Sequence, residues 1–253
     1  MTAAPGRITV DSGASDVRAP AGAVRRFVIL SILSVVVMLF AAILLGLPAL
    51  AVALAAGGLA TALIVFTVLF SRGHPHARLG AANAVTLLRL TIVCVLLSML
   101  LAGGGSAAVV IPLSIIALSL DGVDGALARR QKLESRFGAA FDMEVDSAFA
   151  LVLSILAALG PAGPAALLLG LPRYLFGVAG VALPWLNGPL APRFSRKVIC
   201  VIQLIVLIVL QLPFLEAWSA LTLVAATVGL LAWSFGLDIV SLFRARARAR
   251  SDA

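Results

Sequence analysis

No charged residue lies between Arg26 and Arg72. A stretch of that length and composition has no place in a soluble fold. It belongs in a bilayer, whose hydrocarbon core of ~30 Å takes about 20 apolar residues per helix. Gly46 and Pro48 divide it, so it reads as two spans, Phe27 to Leu47 and onward to Phe70, joined by a tight turn. Six further apolar runs follow. They open at NAVTLLRL and end near Ala102, then cover Ala107–Leu127, Phe137–Leu159, Ala165–Leu186, a run ending near Leu212, and Ala217–Phe243. With 62% hydrophobic and 12% charged residues, the chain reads as an all-α polytopic membrane bundle of about eight transmembrane helices.

The expected organisation is a cytoplasmic tail over 1–24, a transmembrane hairpin over 25–72, a six-helix core over 80–243 and a basic tail over 244–253. The net charge of +8 does not point to nucleic acid, because the basic residues sit at helix ends. There they act as topology determinants beside anionic headgroups. Arg25, Arg26, Arg72, Arg78, the cluster from Arg129 to Arg136, Arg193 to Lys197 and the RARARAR tail all fall on one side. The four opposite loops carry no Lys or Arg. The positive-inside rule then puts both termini in the cytoplasm of a multi-pass protein of the cell (inner) membrane. Cys94 and Cys200 lie in apolar runs and read as small packing residues.

Six of the eleven acidic residues fall between Asp121 and Asp146. Asp121 and Asp124 are three apart and Asp142 and Asp146 four apart, so each pair shares a helix face. The polar segment Arg129–Arg136 between them reads as the turn of a helical hairpin. Such a hairpin brings four carboxylates together at the mouth of an apolar bundle, where unpaired charge is costly. Mutual repulsion is relieved by a cation, and an all-oxygen donor set suits Mg²⁺ or Mn²⁺.

The pattern D-x2-D-G-x2-A-R-x8-G-x3-D-x3-D is complete, as Asp121, Asp124, Gly125, Ala128, Arg129, Gly138, Asp142 and Asp146. It resembles the signature of the CDP-alcohol phosphotransferases, membrane enzymes of phospholipid synthesis. The resemblance covers about residues 80–243 and implies a six-helix core, a homodimer and Mg²⁺ or Mn²⁺ as cofactor. It implies transfer of a substituted phosphate from a CDP-linked donor, most often CDP-diacylglycerol, to an alcohol, with release of CMP. By the same resemblance Asp121, Asp124 and Asp142 are metal ligands. Asp146 is the general base or a ligand to a second ion. Gly125, Ala128, Arg129 and Gly138 lie against the nucleotide; for the small residues, helix–helix packing is the plainer reading and is compatible with it.

Asn83, Thr86 and Arg89 stand three apart on one face. Alone they read as an N-cap region with an arginine snorkelling to the interface. The resemblance adds an N-x-x-T-x-x-R pattern that opens the first core helix beside the nucleotide pocket. Arg173 stands inside the sixth run, where a buried arginine is costly. It reads either as a structural ion pair or, with Arg196 and Lys197, as a site for acceptor or lipid phosphate. FDMEVDS departs from the LDPxADK run of glycerophosphate-type members, which leaves the acceptor open. A cation transporter would explain clustered carboxylates but not the glycines, alanine and arginine at this spacing. An inactive scaffold would not need four intact aspartates.

Overall fold

The computed structural model describes residues 19–73, 76, 79–131, 135–188 and 193–251; the side chains of residues 123–131 lie outside that description. So do most of the expected N-terminal tail and residues 132–134 of the expected polar turn. Among the described residues the structure is helical, with no strand. The helices are α1 (Ala21–Leu44), α2 (Ala49–Gly73), α3 (Ala81–Leu101), α4 (Ala107–Gln131), α5 (Arg136–Ala158), α6 (Leu167–Gly170), α7 (Pro172–Ala182), α8 (Phe194–Val209) and α9 (Ala217–Ser251). Short 3₁₀ turns, Gly163–Ala166 and Pro184–Asn187, precede α6 and follow α7.

The arrangement is the polytopic helix bundle that the apolar runs imply. Four helices, α1, α2, α3 and α9, are long and apolar enough to cross a membrane alone, and the bent α6–α7 pair makes a fifth. Helix α4 has 25 residues and is uncharged over 107–120, up to its first carboxylate, Asp121. The remaining two fall short for identifiable reasons. The first three turns of α5 carry Asp142, Glu144 and Asp146. At 16 residues, α8 is ~24 Å long, below the ~30 Å hydrocarbon core.

The expected sixth span is a broken one. Gly163–Gly170 and Pro172–Ala182 meet at 54°, because Pro172 has no N–H for the carbonyl four residues back. Close packing fixes the break against α5: a Cβ on Gly170 would collide with Ser154 and lie 3.1 Å from the Leu151 Cα. Residues 244–251, in the expected basic tail, continue α9 as helix, and Arg246 lies over Trp185, 5.8 Å from its ring centre.

At the centre is α3, packed against α1, α2, α4 and α5 and buried almost continuously from Thr86 to Met99. The outer helices bury only one stripe each. On α1 it is Ala23, Phe27, Ser31, Ser34, Met38 and Ala42. On α9 it is Ala220, Val224, Thr227, Leu231, Ser234, Asp238 and Leu242. Spacings of three and four align these residues on one face, leaving the other faces to lipid.

The N-terminal hairpin is joined to the start of α5 by aromatic rings. Phe27 and Phe70 stack at 4.9 Å, Phe70 meets Phe137 edge-on at 5.2 Å, and Phe66 lies 4.4 Å from Phe141. In lipid such contacts stabilise through packing rather than water exclusion.

Candidate active site

Three helices deliver the site to one end of the bundle. The carboxylates come from the C-terminal half of α4 and the N-terminal turns of α5. Ser135 caps α5, accepting from the Gly138 N–H at 3.0 Å, so the helix begins just ahead of the residues it must place. The donor oxygens of Asp121, Asp142 and Asp146 all lie within 4.8 Å of one another. Each carboxylate is partly exposed. Asp124 stands one helical turn after Asp121 on α4. With Gly125, Ala128 and Arg129 it shares the backbone placement of that helix, and its side chain is among those outside the description.

Arg89 of α3 completes the cluster from below. Its Nη1 lies 2.9 Å from Asp121 Oδ1 and 2.6 Å from Asp142 Oδ1, and its Nη2 donates to Asp146 Oδ1. The side chain is only 1% exposed, which excludes an arginine snorkelling to the interface. The three-residue spacing of Asn83, Thr86 and Arg89 places Arg89 on the right face without naming its partners. A signal was present: a lone arginine inside an apolar helix needs a buried partner, and the carboxylates are the obvious candidates.

Asn83 and Thr86 lie on the same face of α3, both buried. Asn83 donates to the Leu79 carbonyl at 2.6 Å and Thr86 to the Ala82 carbonyl at 3.1 Å. A Cβ on Gly138 would sit 3.2 Å from both Asn83 Oδ1 and Ser135 Oγ, so the absence of a side chain there lets α5 approach α3. The structure thus brings Asn83 and Gly138 together beside the carboxylates.

Two of the expected phosphate-binding cations, Arg173 and Arg196, are engaged by acids. Arg173 lies in the first turn of α7, after the bend rather than deep in a span. Its Nη2 lies 2.7 Å from Glu144 and its Nε donates to Ser147 Oγ at 3.0 Å. Glu144, which points off the Asp142–Asp146 face, is therefore part of a second ion pair. On α8, Arg196 reaches the buried Asp238 of α9 at 3.0 Å and Arg193 reaches it at 2.5 Å. Lys197 is exposed. This second charged group neighbours the first, since α8 packs on α4 and α5.

Residues 79–236 match the CDP-alcohol phosphatidyltransferase family. The chain belongs to that family. The match covers well over half of the 253 residues, begins two residues before α3 and excludes the α1–α2 hairpin. No curated protein and no solved structure matches the chain. Membership makes it a membrane-embedded transferase acting on a CDP-linked alcohol, and the carboxylate end of the bundle is where its charged chemistry is concentrated. Hard carboxylate oxygens at this spacing fit a divalent ion such as Mg²⁺ or Mn²⁺.

Proposed function

We propose that the protein transfers a phosphatidyl group from CDP-diacylglycerol, or a closely related CDP-linked lipid, to an alcohol, releasing CMP at the cytoplasmic face of the cell (inner) membrane. The observation that carries this reading is the convergence of Asp121, Asp142 and Asp146 within 4.8 Å in a chain of this family. In this proposal Asp121, Asp124 and Asp142, with Asp146 as a further ligand, hold Mg²⁺ or Mn²⁺. Bound there, the ion would offset the charge that grows on the pyrophosphate oxygens of the leaving CMP.

The remaining work falls to the chain itself. Asp146 accepts the proton of the acceptor hydroxyl. The hydroxyl oxygen then attacks the donor's lipid-side phosphorus in line, and the P–O bond to CMP breaks. Asn83, Thr86, Gly125, Ala128, Arg129 and Gly138 line the nucleotide side, where the absent Gly138 side chain lets α5 pack closely on α3 at Asn83. Arg173, Arg196 and Lys197 serve acceptor or lipid phosphate. Arg173 must share its guanidinium with Glu144 in that role, and Arg196 with Asp238. Lys197, exposed beside them, supports phosphate recognition at the α8 end. The protein functions as a homodimer in this reading, with the core over 80–243 as the catalytic unit and 25–72 as its anchor.

The test is CMP release by detergent-purified protein with CDP-diacylglycerol, Mn²⁺ or Mg²⁺ and a panel of alcohols. Acceptor-dependent release, abolished by chelator and reduced about a hundredfold or more in Asp146→Asn, is the expected outcome. Release that persists unchanged in Asp146→Asn would remove that residue from the role of base.

A further inference from the structure

We propose that Arg89 is a built-in counter-cation that holds the carboxylates in place when no divalent ion is bound and competes with that ion for them. The inference rests on reading the carboxylates as a divalent-ion site. Its own ground is the position of the guanidinium. It does not lie beside the cluster; it lies between the three oxygens, with one nitrogen shared by Asp121 and Asp142 and the other on Asp146.

Three carboxylates so close repel one another, and Asp124 adds a fourth one turn away on α4. With the ion absent, something positive must offset them or they spread apart. Arg89 meets that need, and its pKa keeps it charged at any physiological pH. Mg²⁺ draws carboxylate oxygens to about 2.0–2.1 Å. Nη1 is already 2.9 and 2.6 Å from one oxygen each of Asp121 and Asp142, so an ion held by the same carboxylates would be crowded against the guanidinium, cation against cation. Arg89 therefore has to give up at least one carboxylate as the ion enters. The guanidinium is buried and tethered to the central helix, so it cannot diffuse away, and its release opposes ion binding in every cycle. The site then holds its ion less tightly than its carboxylates alone would.

Full-length protein in detergent would be titrated with Mn²⁺ alone, bound and free ion being separated by electron paramagnetic resonance. Thermal unfolding would be followed with and without Mn²⁺. For Arg89→Met we expect ion-free protein that unfolds at a lower temperature, a Mn²⁺ Kd about tenfold tighter than wild type, and a larger rise in Tm on adding Mn²⁺. Arg89→Lys keeps a charge in the core, so it supplies a folded comparison; its single ammonium cannot span three carboxylates, and its Kd should fall between the other two. Unchanged or weaker Mn²⁺ binding in folded Arg89→Met, or in Arg89→Lys if only that variant folds, would overturn the proposal. A wild type that binds no Mn²⁺ at all would instead mark failure of the divalent-ion reading beneath it.

Discussion

Asp238 is buried on α9 and takes guanidinium groups from Arg193 at 2.5 Å and Arg196 at 3.0 Å, both from the α8 end. Arg193 also donates to the Ser234 carbonyl at 3.3 Å. Removing the acid would leave two partly buried cations facing each other. Asp238→Ala should therefore cost about 2–3 kcal/mol, toward the lower end for a broken buried pair because both arginines retain some exposure. A fall in Tm in detergent would check this, and a variant as stable as wild type would contradict it. Asp238 shows how far residue-level reading reaches. A lone acid near the end of an apolar run must find a basic partner, and that much is legible from the sequence. Which arginine it meets depends on how two helices cross, and no local spacing encodes that crossing. The Asp142–Asp146 interval was readable because it reflects a period within one helix. That Arg89 needs an acidic partner was readable too; that it reaches three carboxylates at once was not, because α3, α4 and α5 must first meet.

At the scale of elements, helix existence was largely legible and helix continuity was not. Pro172 stands in plain view within an apolar run, yet composition alone favours a single span there. Only packing against α5 makes the 54° bend the settled form. The α1–α2 hairpin lies outside the family match, and the sequence offered no role for it. Its rings touch α5 at Phe137 and Phe141, the residues flanking Gly138 and immediately preceding Asp142. Truncating Phe70, which is fully buried, should cost on the order of 3 kcal/mol. Because Phe137 loses the nearest of its edge-on partners, Phe70→Ala should also lower CMP release, with Phe70→Leu recovering most of the stability. If Phe70→Ala loses stability and keeps full turnover, the hairpin backs the fold but not the site.

At the scale of the whole molecule, the basic groups gather at one end and the apolar stripes run along the sides, a division visible in the sequence as basic loops alternating with loops that lack Lys and Arg. The outer helices present broad apolar faces beyond their stripes, including Ile29, Ile32, Leu33 and Phe40 on α1 and Leu50 and Leu54 on α2. Lipid chains are thus the packing partner for most of the hairpin surface. A membrane thinner or thicker than these helices makes them tilt, at a cost of fractions of a kcal/mol per Å. The same helices hold the rings that back Phe137 and Phe141. CMP release in vesicles should accordingly pass through a maximum as acyl chains are lengthened, and a flat profile would show the hairpin to be mechanically idle. The thickness of the surrounding membrane then becomes a control on turnover, set by lipid composition and felt through a ring of phenylalanines.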